Sequence, residues 1–141
     1  GFLFYTNYSS AKGQHIHHDP RVALLFFWPE LQRQIRVNGT AMKVPREESE
    51  RYWRSRPFNS QVGSYVSDQS SVVPDRDALD RTFHEVQQRF NGKDVPLPEN
   101  WGGYVVHPHE MEFWQGRESR LHDRIRYRRQ GSSWTIERLA P

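Results

Sequence analysis

The sequence predicts a β-rich α+β fold, and three observations lead there. Residues 22–28 are an unbroken apolar run of strand length. Residues 32–44 and 124–128 alternate with the period of a half-buried strand, and only residues 75–90 carry a clear helical stripe. Two neighbouring strands of this kind suggest a sheet or barrel rather than a repeat of parallel βαβ units.

Residues 1–6, Gly-Phe-Leu-Phe-Tyr-Thr, read as a strand already under way. Because Met42 and Met111 are the only methionines, the expectation is that an upstream segment was cut away or left out. Turn residues follow, and Ser9 or Ser10 suits the cap of a short helix to about His18, ended by Asp19-Pro20. Ser9, Ser10 and Lys12 at that helix start could cradle a phosphate, or could simply cap a surface helix. The run 22–28 predicts a central strand buried on both faces, and Pro29-Glu30 turns the chain. Around Asn38-Gly39, the alternation of Ile35, Val37, Ala41 and Lys43 fits either a bulged strand or a hairpin.

Pro45 suits the first position of a helix to about Ser55, with Glu47 and Glu48 in its first turn and arginines in its last. On it Tyr52 and Arg56, four apart, share a face. Pro57 stops that helix, residues 60–66 predict a second short one, and residues 68–71 a polar loop. Along 75–90, Leu79, Phe83, Val86 and Phe90 form a stripe read as core, and Asn91-Gly92 is a good stop. Pro96-Leu97-Pro98 is an extended linker. Residues 101–106 predict a strand whose Gly102 and Gly103 mark a close backbone approach. Residues 111–114 predict a separate short strand, which Gly116 breaks; 124–128 resume the alternation and 134–139 close the chain. Neither an internal repeat nor a low-complexity segment is present.

At 141 residues the chain reads as a single domain, long enough for a core. Only 35% of it is hydrophobic and its mean hydropathy is −0.94, so eight Phe, six Tyr and five Trp must supply much of the buried area. The formal charge of +3 permits anionic ligands and nucleic acid alike. With no cysteine there is no disulfide framework and no thiolate chemistry, which fits a reducing compartment. No apolar run approaches the ~18 residues of a membrane span. A cytoplasmic location is expected, with no membrane partner, and the sequons at Asn7 and Asn38 as chance matches.

The stretch 112–124 packs Trp114, three arginines (Arg117, Arg120 and Arg124) and His122 around one turn, and planar guanidiniums beside an indole suit a flat anionic ligand. A solvated basic hairpin is the alternative. No metal site is expected: His15, His17 and His18 spread around a helix axis instead of converging, and no cysteine joins them or His107 and His109. There is no Gly-rich phosphate loop and no nucleophilic serine in recognisable context. Glu112, Glu118, Asp123 and Glu137 interrupt the basic tail, so nucleic acid is not an expected partner.

Seven motifs, in order, resemble the pyridoxine (pyridoxamine) 5'-phosphate oxidases. They are Gly1-Phe2-Leu3-Phe4-Tyr5-Thr6-Asn7, Arg54-Ser55-Arg56-Pro57 with Ser60-Gln61, Gln69-Ser70, Val95-Pro96-Leu97-Pro98 with Trp101-Gly102-Gly103, Glu112-Phe113-Trp114-Gln115-Gly116, Arg120-Leu121-His122-Asp123-Arg124, and Arg138-Leu139-Ala140-Pro141. The resemblance implies a split β-barrel with short helices packed around it, lacking its upstream strands. It also implies a homodimer with FMN between subunits, oxidising pyridoxine or pyridoxamine 5'-phosphate to pyridoxal 5'-phosphate with O2 as acceptor. By the same resemblance Tyr5, Thr6, Lys12, Gln34, Gln69, Ser70, Trp114 and Arg124 match FMN-contacting positions. Tyr52, Arg56 and Ser60 match a substrate-phosphate clamp, and Arg120 and His122 match residues over the substrate ring, with the catalytic part. On an extended segment, Arg120 and His122 would point to one ligand.

Two departures stand out. Ser10-Ala11-Lys12 replaces the family's usual Ser-Arg-Lys, which predicts weaker flavin binding, and an upstream Arg and Lys of the pattern are absent. Two other readings compete: a same-fold flavin oxidase with another substrate, as in phenazine pathways, and a protein that holds FMN or pyridoxal phosphate without turnover.

Overall fold

A computed structural model describes residues 1–141. In chain order the elements are β1 (Phe2–Asn7), α1 (Ala11–His18), β2 (Arg21–Trp28), β3 (Arg33–Lys43), α2 (Arg46–Ser55), α3 (Phe58–Val66), α4 (Arg76–Arg89), β4 (Trp101–Gln115), β5 (Asp123–Gln130) and β6 (Ser133–Arg138). The strands form one sheet in the order β2-β3-β4-β5-β6, with β1 paired to β4. The expected mainly-β α+β class is therefore the observed one, and pairing leaves the sheet open, with β2 and β6 at its ends.

The chain divides into two compact units. The first comprises Leu3–His18 and Lys43–Tyr104. Its core is Trp53, Val62, Val95 and Trp101, against which Tyr5, Phe83, Val86 and Phe90 pack. Helix α2 forms after Pro45, with Glu47 and Glu48 at its positive end and Arg54 at its negative end. The Arg46 guanidinium donates to the carbonyls of Leu97, Pro98 and Trp101, pinning the Pro-Leu-Pro linker to the helix start. Helix α4 starts where Asp75 accepts from the Ala78 N–H at 2.7 Å. Three of its four stripe residues reach the core, while Leu79 stays exposed.

Helix α1 is capped by Ser10 rather than Ser9: the Ser10 hydroxyl accepts from the Gly13 N–H and donates to the Asn7 carbonyl at 2.7 Å. Its Ile16 is buried and its three histidines face solvent. Gly102 and Gly103 do mark a close approach. A Cβ on Gly103 would lie 2.7 Å from a Val44 methyl and 2.9 Å from the Tyr5 ring.

The second unit comprises Gly1–Phe2, Asp19–Met42 and Val105–Pro141. Strands β2 and β3 pair antiparallel from Arg21↔Thr40 to Trp28↔Arg33 without a slip. Asn38-Gly39 is thus neither hairpin nor bulge in that pairing. Gly39 is needed because a Cβ there would stand 2.6 Å from the His107 carbonyl oxygen.

Three expectations are corrected here. Strand β2 is an edge strand, with Leu25 and Phe27 63% and 56% exposed, rather than a central strand buried on both faces. A continuous apolar run reports a face that avoids water, and does not say whether the chain itself covers that face. Next, residues 101–106 and 111–114 are one strand, β4, because backbone pairing carries through the polar His107-Pro108-His109-Glu110 stretch. Finally, Arg56 lies past the end of α2 with φ −77° and ψ 145°, as the residue before a proline prefers.

Candidate functional site

The first unit holds a cavity of about 560 Å³ whose lining includes Tyr5, Thr6, Tyr52, Arg56, Gln69 and Trp101. Its wall is aromatic. Tyr5 stacks on Tyr52 with ring centroids 3.8 Å apart and planes 14° apart, and both stack on Trp101. Burial pushes the Tyr5 phenol up, helped by Glu48, so it stays a neutral hydroxyl. The Arg56 guanidinium lies 5.1 Å from the Trp101 ring centroid and 5.5 Å from that of Trp53, the geometry of a cation–π contact. It has no carboxylate partner, and its Nη1 donates to the Ser64 hydroxyl at 2.8 Å.

Beside this wall is a second group of polar side chains. Gln69 Oε1 accepts from the Thr6 hydroxyl at 3.0 Å and from the Asn7 N–H at 3.2 Å. Ser70, with φ +78°, accepts from the Ala11 N–H at 3.2 Å. The Lys12 ammonium sits 5.6 Å over the Phe4 ring. Ser60 is the exception in the set: it does not line the cavity, and its N–H donates to the Pro57 carbonyl. Ser64 was missed from the sequence, and only its position two turns into α3 brings it to Arg56.

The second unit holds a cavity of about 430 Å³ lined by Gln34, Trp114, Arg33, Arg117 and Asp123 among others. The His122 ring lies 4.9 Å from that of Trp114, and its Nδ1 accepts the Arg117 N–H at 3.1 Å. A neutral His122 therefore carries its proton on Nε2. Asp123 accepts from both Arg117 and Arg138, which holds its carboxyl below the usual range. Arg120 is not on an extended segment, as expected from sequence, but ends a 3-10 turn (Glu118–Arg120) at φ +61°, after Ser119 at φ +54°. That turn folds because the Leu121 N–H returns to the Glu118 carbonyl.

Arg124 is engaged within the chain. Its Nε and Nη2 form a fork on Glu112, 2.9 and 3.0 Å, and its Nη1 donates to the Ala140 carbonyl. Glu112 is only 8% exposed, and the Arg124 hydrogen bonds hold its carboxyl below the usual range against the effect of burial. Because the folded value lies below the unfolded one, the pair contributes stability above the unfolded carboxylate range and loses it as pH falls through the folded value. Glu112→Gln is expected to cost about 1–3 kcal/mol at pH 7. In urea titrations the gap between the two proteins should begin to narrow as pH falls through about 4.3, the unfolded Glu value, and be lost only below the folded one; a gap independent of pH would rule the account out.

The candidate residues thus fall in two sets, Tyr5, Thr6, Lys12, Tyr52, Arg56, Gln69 and Ser70 in one unit and Gln34, Trp114, Arg120, His122 and Arg124 in the other. No group of three or more His, Asp or Glu side chains has the geometry to hold a metal ion. No helix is long and apolar enough to cross a membrane.

The fold defines a class. It is shared with a pyridoxamine 5'-phosphate oxidase-related, FMN-binding protein from Nostoc punctiforme, at 15% identity with a TM-score of 0.71 over 99% of this chain and 72% of that one. A closer structural likeness is PhzG from Burkholderia lata in complex with tetrahydrophenazine-1-carboxylic acid, 34% identical, with a TM-score of 0.92 over 100% of this chain and 69% of that one. Residues 1–90 match the family described as pyridoxamine 5'-phosphate oxidase, and residues 101–141 match the pyridoxine 5'-phosphate oxidase C-terminal dimerisation region. The chain belongs to the pyridoxamine 5'-phosphate oxidase family. Pyridoxine/pyridoxamine 5'-phosphate oxidases of Leptospira biflexa and Rhodopirellula baltica are 51% and 52% identical to it, over 99% of this chain in each case. It spans 66% and 65% of their respective lengths.

Proposed function

We propose that this chain is the FMN-binding domain of an oxidase that converts pyridoxine or pyridoxamine 5'-phosphate to pyridoxal 5'-phosphate, with O2 as acceptor and H2O2 as product. The observation that carries the reading is Arg56. It is a guanidinium with no acid beside it, held over two indoles next to the Tyr52 ring in an open cavity. A phosphate monoester supplies the two anionic oxygens that such a donor lacks.

The residues suit the cofactor as well as the substrate. Thr6, Lys12, Gln69 and Ser70 offer hydroxyl, amide and ammonium groups for a ribityl phosphate, with Tyr5 beside them. Gln34 and Trp114 offer a polar edge and an aromatic surface for a ring system, and Arg124, whose fork Glu112 takes, has only its remaining N–H groups for it. When bound, FMN supplies the two-electron acceptor and O2 reoxidises it. The protein's part is orientation and charge: in one unit Tyr52 and Arg56 suit a phosphate, and in the other Arg120 and His122, matching the family's ring-facing residues, offer a guanidinium and an Nε2–H. The exposed apolar residues Leu25, Phe27 and Trp28 on β2 favour a second copy of the chain as partner, giving a homodimer. A cytoplasmic location accords with this reading.

A titration of FMN into the purified chain, followed by quenching of flavin fluorescence, is expected to saturate near one FMN per chain. Aerobic incubation of that complex with pyridoxine 5'-phosphate should then yield pyridoxal 5'-phosphate and peroxide. Saturable FMN binding without turnover of either pyridoxine 5'-phosphate or a reduced phenazine carboxylate would leave the non-catalytic binder standing. The likeness to PhzG supports a second reading, oxidation of a reduced phenazine carboxylate. Turnover of that compound but not of pyridoxine 5'-phosphate would favour it.

A further inference from the structure

We infer that Ser64 is a positioning residue that aims the Arg56 guanidinium at a phosphate monoester and so sets the preference for phosphorylated over unphosphorylated substrate. The inference rests on the proposed function and adds to it a residue outside the expected clamp. Ser64 lines the same cavity as Arg56 and Tyr52, whereas Ser60 does not.

The geometry follows from the chain's path. Arg56 sits in the extended link between α2 and α3, where its own carbonyl accepts from the Gln61 amide at 2.9 Å. The backbone is thereby held, but the side chain has several rotatable bonds. Its guanidinium carbon lies within cation–π reach of Trp53 and Trp101, whose rings are 69° apart. Attraction of a cation to an aromatic ring fixes where the charge sits and does not decide which edge of the guanidinium meets a ligand. The Ser64 hydroxyl decides it by accepting from Nη1 at 2.8 Å. What remains is the edge formed by Nε and Nη2, which has no protein partner and matches two oxygens of a phosphate. Because Ser64 accepts in this bond, its own proton stays available and no carboxylate neutralises the arginine.

The test compares calorimetric titrations of two ligands that cannot condense with lysines, 4-deoxypyridoxine 5'-phosphate and 4-deoxypyridoxine, into the FMN-loaded protein and its variants. Ser64→Ala is expected to weaken the phosphate ester about tenfold, equivalent to about 1.4 kcal/mol, and to leave the free alcohol unchanged. Ser64→Thr, which keeps the hydroxyl, should stay within about twofold of the parent. In an Arg56→Ala background Ser64→Ala should have no further effect, the signature of one residue acting through another. Equal weakening of both ligands, no weakening, or full additivity with Arg56→Ala would overturn the inference. A parent protein that binds ester and alcohol alike would instead sink the phosphate-site reading on which it rests.

Discussion

Arg120→Leu is expected to lower turnover of pyridoxine 5'-phosphate about 10–100-fold while changing FMN affinity by less than about threefold. The estimate takes the loss of one charged donor as about 1.5–3 kcal/mol. Within the protein the Arg120 guanidinium has no hydrogen-bonded or ionic partner, so its removal leaves no orphaned group behind. Its backbone is nevertheless expensive: Ser119 and Arg120 are consecutive non-glycine residues at positive φ, each costing about 1–3 kcal/mol. Strain of that size, held by a turn that presents an unpaired cation, is what a substrate-orienting residue would show. Steady-state turnover measured beside a flavin-quenching titration separates the two effects. Equal losses in both would remove Arg120 from the substrate and return it to the cofactor.

Trp53→Ala should destabilise the protein by about 3–5 kcal/mol, the usual cost of emptying a large aromatic site. Trp53 is 2% exposed, packs edge-on against Trp101 at 4.9 Å and donates its indole N–H to the Val95 carbonyl at 2.8 Å. The substitution therefore opens a void and also strands a buried acceptor. It removes one of the two indoles under Arg56 as well. Urea unfolding followed by far-UV circular dichroism measures the loss. If the alanine protein does not fold, Trp53→Phe keeps most of the volume and isolates the lost hydrogen bond, for which about 1–2 kcal/mol is expected. A midpoint unchanged in Trp53→Phe would show that the Val95 contact contributes nothing.

Both predictions use features of different legibility. The elements themselves were legible: Asp75 caps α4, Pro45 opens α2, Pro57 separates α2 from α3, and alternation marks β5 and β6. Each is a local preference, decided by a residue and its neighbours within a turn or two. Of the candidate site, Tyr52 and Arg56 do share a cavity with Tyr5, Thr6 and Gln69, which come from three separate stretches of the chain.

Where the reading departed from the structure, the deciding contact was distant or absent. The Asn38-Gly39 pair looks like a turn, but the close approach of the His107 carbonyl explains its glycine. Arg120 and His122 look like alternate residues of a strand, but the 3-10 turn before them replaces the extended backbone. Arg124 looks like a free cation, but Glu112 twelve residues earlier takes its fork through the β4–β5 pairing, two registers from Arg126.

By itself the sequence determined the kinds of most elements and which side chains carry charge or aromatic surface, because these depend on local backbone preference and on chemistry that each residue keeps anywhere; the family came from the resemblance of its motifs. The tertiary structure alone decided that β2 lies at an edge, that Ser64 rather than Ser60 meets Arg56, and that Arg124 is spent on Glu112. Those outcomes depend on which remote groups arrive within hydrogen-bonding distance or leave a face uncovered, and no local pattern encodes that.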